Sequence, residues 1–121
     1  MDPKYSLISL RFLTLVVSFL LSSVIIADDN YRYYINLTKV VNDKIQVTLT
    51  PPTIAQNEIE FSYPAMVPGT YEVYNFGRFI SNFKVTGKNG AVIKVTKVDV
   101  NTYNISPAAS VDKITYDVDD T

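Results

Sequence analysis

Strict two-residue alternation of apolar and polar side chains is the feature that most constrains how this chain can fold. It occurs at 44–50, 58–63 and 114–118. Because successive side chains of a β-strand point to opposite faces, each run predicts a strand with one apolar and one polar face. Further candidate strands, rich in β-branched and aromatic residues, lie at 31–37, 83–86, 91–98 and 103–105.

Turn-forming residues separate these candidate strands. An Asn-Asp pair at 42–43 predicts a hairpin turn, and the prolines at 51–52 end the second strand because neither can donate to a sheet ladder. Asn89-Gly90 predicts a type I′ hairpin turn, since both residues tolerate positive φ. With no capped helical period after position 27, the chain is predicted to be an all-β, antiparallel, β-sandwich-like domain.

The N-terminal region has the layout of a secretory signal peptide. Two basic residues precede an apolar run at 12–26, and Ala27 precedes a polar stretch. The run is 15 residues long, shorter than the ~20 that cross a bilayer, although an uncleaved anchor is the alternative. We therefore predict a signal peptide at 1–27, a mature domain at 28–121 and export to the periplasm or the extracellular space. Contact with a membrane is expected only through this segment, if it stays uncleaved.

The composition excludes several functional classes. The chain has no His, no Cys and a net charge of −1 with neither sign clustered, so no nucleic-acid surface is predicted. Without His or Cys, neither nucleophilic catalysis by a Ser–His or Cys–His pair nor a zinc site of the usual kind is available. The sequence therefore predicts no catalytic residue, no metal ligand and no cofactor of its own.

Two groups of carboxylates allow a functional and a structural interpretation. Glu58 and Glu60 would share one face of a strand at roughly the separation of glycosidase carboxylates, but the polar face of a half-buried strand is the favoured interpretation. Asp117, Asp119 and Asp120 would suit a hard cation, yet they lack the spacing and the turn glycine of a calcium loop. A solvated acidic tail is favoured there.

Residues 64–82 break the alternation and form the least generic part of the sequence. Pro68-Gly69 suits the central positions of a type II turn, where Pro fixes φ and Gly accepts positive φ. The aromatic-rich stretch after it has two interpretations. Tyr71, Tyr74 and Arg78 would form a binding edge, or the aromatic residues would fill the core with Gly77 marking a bulge.

This segment resembles the N-terminal domain of the M61 (glycyl aminopeptidase) family. There, Pro-Gly-Ser/Thr-Tyr is followed by an aromatic residue and Arg, then by Ser-Asn-Phe and a hairpin. The members of that pattern in this chain are Pro68, Gly69, Thr70, Tyr71, Phe76, Arg78, Ser81, Asn82 and Phe83. The preceding strands and the Asn89-Gly90 turn fall in the same order, so the resemblance covers essentially the whole mature chain.

The resemblance implies an accessory β domain placed before a thermolysin-like zinc peptidase domain. This chain has no His and hence no His-Glu-x-x-His signature, so zinc is expected only in the missing catalytic domain. The β domain is also expected to be incomplete at its C-terminal end, with an unpaired edge near 114–118 and marginal stability in isolation. The expected partner is a peptidase catalytic domain, and a free-standing secreted binding module using 64–82 is the alternative. The candidate interface residues are Pro68, Gly69, Thr70, Tyr71, Tyr74, Phe76, Arg78 and Asn82.

Overall fold

The computed structural model describes residues 29–119, and the regular elements in that range are strands and two 3-10 turns, Phe76–Phe79 and Ala108–Ser110. This confirms the predicted all-β class, while the predicted signal peptide at 1–27 lies outside the described residues. The strands are β1 (Arg32–Ile35), β2 (Lys44–Thr50), β3 (Ile59–Ser62), β4 (Ile80–Gly87), β5 (Val92–Ile93), β6 (Val95–Lys97), β7 (Thr102–Ile105) and β8 (Val111–Asp119).

The strands form two antiparallel sheets. The larger sheet has the order β1-β2-β8-β4-β5 and the smaller one the order β3-β7-β6. Residues paired across strands share a face, so Val47 opposite Tyr116 and Leu49 opposite Ile114 place four apolar side chains on one side of the larger sheet. The polar residues of these strands occupy its other side, as the alternation predicted.

One hydrophobic core joins the two sheets. The most completely buried large side chains are Leu49, Val85 and Ile114 from the larger sheet and Ile105 from the smaller one. Burying each of them stabilises the fold by roughly 1.5–3 kcal/mol. Aromatic residues line the same interface, and Phe83 stacks on Tyr103 with ring centroids 4.0 Å apart and planes inclined by 6°.

The position of β8 differs from the expectation of an unpaired edge near 114–118. β8 lies between β2 and β4 at the centre of the larger sheet, and Ile114 and Tyr116 are buried. Asp117 and Asp119 belong to this strand rather than to a solvated tail, so that expectation was also wrong for them. Period-2 alternation fixes which residues share a face but not which strands are neighbours, and this explains both errors.

β1 forms one of the two edges of the larger sheet, opposite β5. All four of its residues are exposed, including Tyr33 and Ile35, which lie on the core side opposite Leu49 and Val47. The three strands of the smaller sheet therefore leave the core side of β1 uncovered. An apolar edge strand of this kind is a recognised aggregation hazard.

The stretch predicted as one strand at 91–98 is two strands in different sheets. β5 pairs with β4 in the larger sheet, and β6 pairs with β7 in the smaller one, with Lys94 between them. The buried Ile93 and the half-buried Val95 therefore reach one core from opposite sheets. Alternation continues through such a crossover, so local patterning does not reveal it.

Both predicted hairpins form, but one uses a different turn. Asn42 and Asp43 both have positive φ, as a type I′ turn between β1 and β2 requires. At the β4–β5 hairpin only Gly90 has positive φ, and its N–H donates to the Gly87 carbonyl at 2.8 Å. That pattern is a type I turn followed by a left-handed glycine, so the type I′ prediction was wrong there. Within residues 29–119, no helix is long and apolar enough to cross a membrane.

Candidate interaction site

The segment that breaks the alternation folds as a closed loop between β3 and the first 3-10 turn. The Ala65 carbonyl accepts hydrogen bonds from the N–H groups of Tyr74 and Asn75, both at 2.9 Å. The Pro64 carbonyl accepts a third from the Phe76 N–H at 3.1 Å. These hydrogen bonds hold the two ends of the loop together, and this fixes the direction in which the tip of the loop projects.

The tip of the loop is the predicted type II turn. The Thr70 N–H donates to the Val67 carbonyl at 3.3 Å, and Gly69 has a φ of 95° between them. The Thr70 hydroxyl donates to the same carbonyl at 2.9 Å. Pro68 and Gly69 are exposed, so the tip of this turn reaches solvent.

Tyr71 follows the turn and is the most prominent side chain of the loop. It is 95% exposed, and its backbone has a φ of 55°, in the left-handed region. A large aromatic residue rarely adopts that conformation, and such strain concentrates at functional positions. The loop therefore presents an aromatic ring to solvent on a fixed backbone.

The 3-10 turn Phe76–Phe79 is packed tightly against the turn at 99–102. A Cβ on Gly77 would overlap the Val100 carbonyl oxygen and lie 2.7 Å from the Cα of Asn101. Asn101 also accepts a hydrogen bond from the Gly77 N–H and donates one to the Asn75 side chain, both at 3.0 Å. Gly77 is thus required for close backbone approach, and the predicted bulge at this position was wrong.

Aromatic rings hold Arg78 in place on the exposed side of this turn. Its guanidinium carbon lies 4.5 Å from the ring centroid of Phe79 and 5.8 Å from that of Tyr74. Tyr74 in turn stacks on Phe76 with a centroid distance of 5.8 Å. The structure therefore brings together three of the predicted interface residues, Tyr74, Phe76 and Arg78.

Asn82 lies apart from that group, at a bulge in β4. Ser81 pairs with Asp117 and Lys84 with Thr115, so two residues of β4 oppose one residue of β8. Asn82 adopts a φ of 53° there, and its side-chain amide donates to Asp117 at 2.6 Å. This bulge is the physical basis of the Ser-Asn-Phe motif, since it lies directly before the stacked Phe83.

An open apolar groove lies beside the 3-10 turn. Its volume is about 380 Å³, and its lining consists of aromatic and aliphatic side chains with one carboxylate: Tyr63, Phe76, Phe79, Ile80, Tyr116, Val118 and Asp119. Burial raises the pKa of the Tyr63 and Tyr116 hydroxyl groups above the ordinary value of 10.0. The Tyr63 hydroxyl is buried without a hydrogen-bond partner of good geometry.

Sequence reasoning missed two residues of this region. Asn101 supports the 3-10 turn from a distant loop. The sequence feature that could have indicated this residue is the Asp-x-Asn pattern at 99–101, which is typical of a turn. The alternation places Tyr63 on the apolar face of the predicted strand at 58–63, and in the structure it also lines the groove. Nothing in local spacing distinguishes a core position from a groove wall.

Within residues 29–119, no group of side chains is of the kind that holds zinc. The chain lacks His and Cys, the ligands that zinc prefers, and residues 29–119 contain no cluster of three or more metal-ligating side chains. Glu58 accepts a hydrogen bond from the Asn104 side chain, and both Glu58 and Glu60 are exposed, which favours the polar face of a strand. Asp119 lies 3.8 Å from the Lys44 ammonium.

Comparison with known proteins agrees with this description. The chain resembles a crystal structure of an aminopeptidase N family protein from Idiomarina loihiensis, with a TM-score of 0.66 and 20% sequence identity. The match covers 74% of this chain and 15% of that one, so this chain spans a small part of the longer protein. None of the curated proteins compared with the chain matches it.

The family comparison is more specific than the structural one. The model of the Peptidase M61 N-terminal domain matches residues 32–121, and no catalytic domain is matched. The match begins at the first residue of β1 and covers all eight strands, the loop at 64–76 and the bulge at Asn82. The chain therefore belongs to the Peptidase M61 N-terminal domain family.

Proposed function

We propose that this chain is a non-catalytic accessory domain that packs on a zinc peptidase domain and helps to shape its substrate cleft. The loop at 64–76 is the part that reaches the cleft. The observation that supports this assignment is the exposure of the Tyr71 ring on a loop whose two ends are hydrogen-bonded to each other. Zinc and the catalytic residues belong to the peptidase domain. Export, directed by residues 1–27, places both in the periplasm or outside the cell.

The support for this role comes from family and geometry together. The family consists of N-terminal domains of peptidases, so a peptidase domain is the natural partner. A loop held at its base and carrying a 95% exposed aromatic ring suits a surface that docks on a rigid partner. Preorganisation of this kind lowers the entropy cost of binding, and aromatic residues are common binding hot spots.

The experiment that tests this proposal begins with the DNA that follows the coding sequence. We expect a peptidase domain with a His-Glu-x-x-His signature, encoded in frame or in an adjacent gene. The recombinant peptidase domain should bind this chain in calorimetry, and it should hydrolyse peptides more efficiently when this chain is present. Tyr71→Ala should weaken binding about tenfold or more, whereas Tyr34→Ala, which removes another exposed ring, on β1, should not.

The alternative is a free-standing secreted binding module that uses residues 64–82 as its recognition edge. The same exposed Tyr71 and Arg78 favour it, since neither depends on a peptidase domain being present. It requires a stable monomer and a partner whose binding is lost on substitution of Tyr71, Tyr74 or Arg78 while the fold is retained. A peptidase domain that fails to bind the chain would move the assignment to this alternative.

A further inference from the structure

Arg78 is an exposed cation that the described part of the chain leaves without a counter-ion. Among residues 29–119 the structure places no carboxylate within ion-pair distance of its guanidinium. The side chain is nevertheless held in one place, because it lies over Phe79 at 4.5 Å and near Tyr74 at 5.8 Å. A guanidinium stacked on rings keeps its hydrogen-bonding edge free for a planar anion.

The same aromatic ring connects Arg78 to the apolar groove. Phe79 lies under the guanidinium and also lines the groove, together with Phe76, Ile80 and Val118. A volume of about 380 Å³ suits one or two large side chains and is small for a whole peptide. A positive group thus lies next to an apolar recess, and Phe79 contacts both.

The backbone that carries both features is rigid. Gly77 has no room for a side chain against Val100 and Asn101, and its N–H is bonded to the Asn101 side chain at 3.0 Å. The Arg78 N–H donates to the Asn75 carbonyl at 2.9 Å. These contacts hold the backbone of Arg78 and Phe79 in one conformation, which lowers the ordering cost of binding.

We infer that Arg78 and the adjoining groove form one anchor site, which binds an acidic side chain and a neighbouring large apolar side chain on the surface of the peptidase domain. This inference rests on the proposed function and adds the chemistry of the contact. The carboxylate meets the guanidinium edge, and the apolar side chain enters the groove between Phe79 and Val118. Charge complementarity selects an acidic partner segment over a neutral or basic one.

The first test uses capped synthetic peptides with the purified, isotope-labelled chain. The probes are acetyl-Gly-Asp-Leu-Gly-amide and its Asn-Leu and Asp-Ala analogues, titrated while backbone amide shifts are recorded. The Asp-Leu peptide should shift amides at 76–80 and 116–119 and bind at least about tenfold more tightly than either analogue. Equal binding of the Asp-Leu and Asn-Leu peptides would overturn the inference. So would binding of the Asn-Leu peptide only when its C-terminal amide is replaced by a free carboxylate, because that would indicate a site for substrate ends.

The second test uses protein variants and the peptidase domain. Arg78→Gln should abolish the preference for Asp-Leu, and Arg78→Lys should lose most of it because Lys lacks the planar fork. Lys97→Gln, which removes a cation 5.3 Å from the Tyr103 ring, is the matched control and should change nothing. If the peptidase domain binds Arg78→Gln as tightly as the native chain, the anchor site is refuted and the accessory function stands. If it does not bind the native chain at all, the accessory function itself fails.

Discussion

The side chain of Asn101 accepts a hydrogen bond from the backbone N–H of Gly77 at 3.0 Å. The backbone carbonyl of Asn101 also accepts one from the Tyr63 N–H at 2.9 Å. One residue of the loop between β6 and β7 therefore ties together the end of β3 and the 3-10 turn that carries Arg78. The candidate site is held by contacts that are distant in sequence.

Replacing Gly77 by Ala should destabilise the domain by about 3 kcal/mol, the upper part of the usual range for overpacking. The new Cβ would overlap backbone atoms of Val100 and Asn101, which cannot move aside as a flexible side chain can. Urea unfolding measures the change. Gly69→Ala is the control: its Cβ meets nothing within 4 Å, so only the positive φ should cost free energy, about 1 kcal/mol. Equal losses for the two variants would contradict this account.

Asn82 should respond to substitution according to its backbone conformation. With a φ of 53°, Ala at this position should destabilise the fold by about 1–2 kcal/mol, since L-residues other than Asn and Asp rarely adopt that region. Gly accepts the conformation and should lose only the hydrogen bond to Asp117, about 1 kcal/mol or less. Thermal unfolding of both variants measures the difference. A Gly variant less stable than the Ala variant would refute the role assigned to the bulge.

Removing the Tyr63 hydroxyl should leave stability unchanged or raise it by about 1 kcal/mol, because that group is buried without a good partner. Tyr63→Phe keeps the edge-to-face contacts with Phe61 and Tyr116, at 5.3 and 5.4 Å. Tyr63→Ala loses them and should destabilise the fold by roughly 3 kcal/mol. A Phe variant that unfolds as readily as the Ala variant would show that the hydroxyl stabilises the fold.

The stability of the turn at 99–102 should depend on the ionisation of Asp99. Hydrogen bonds from the Asn101 N–H and then from Thr102 lower the pKa of its carboxyl below the ordinary 3.8. The folded chain thus favours the ionised form of Asp99. The contribution of this carboxylate to the free energy of unfolding is complete above about pH 4 and is lost as the pH falls through the lowered pKa. The amide shifts of Asn101 and Thr102 should titrate with a midpoint below 3.8. Asp99→Asn should remove that titration, and a midpoint at or above 3.8 would contradict the prediction.

The exposed strand β1 should make the isolated chain prone to associate. Tyr33 and Ile35 lie on the core side of the larger sheet but are 58% and 52% exposed. Ile35→Lys should therefore keep the chain monomeric to higher concentration without loss of stability, because charged residues discourage edge-to-edge pairing. Size-exclusion chromatography at a series of concentrations measures this. A native chain that remains monomeric throughout, with a sharp unfolding transition, would show that the uncovered edge is harmless.

The sequence alone was enough to determine the strands, their inward faces and most of the turns. Lys44–Thr50 matched its predicted bounds, and the type II turn at Pro68-Gly69 formed as expected, because strand faces and turn types depend on neighbouring residues. The motif at 64–83 also carried the family, which the match over residues 32–121 confirms.

Only the tertiary structure decided which strands are neighbours and what supports the candidate site. The central position of β8 and the contact of Asn101 with Gly77 join segments far apart in the chain, and the crossover at Lys94 sends consecutive strands into different sheets. Local patterns do not encode such pairings, because period-2 alternation is satisfied by any neighbour that covers the apolar face. The shape of the site, with Arg78 held on Phe79 beside a groove, is therefore a property of the folded molecule.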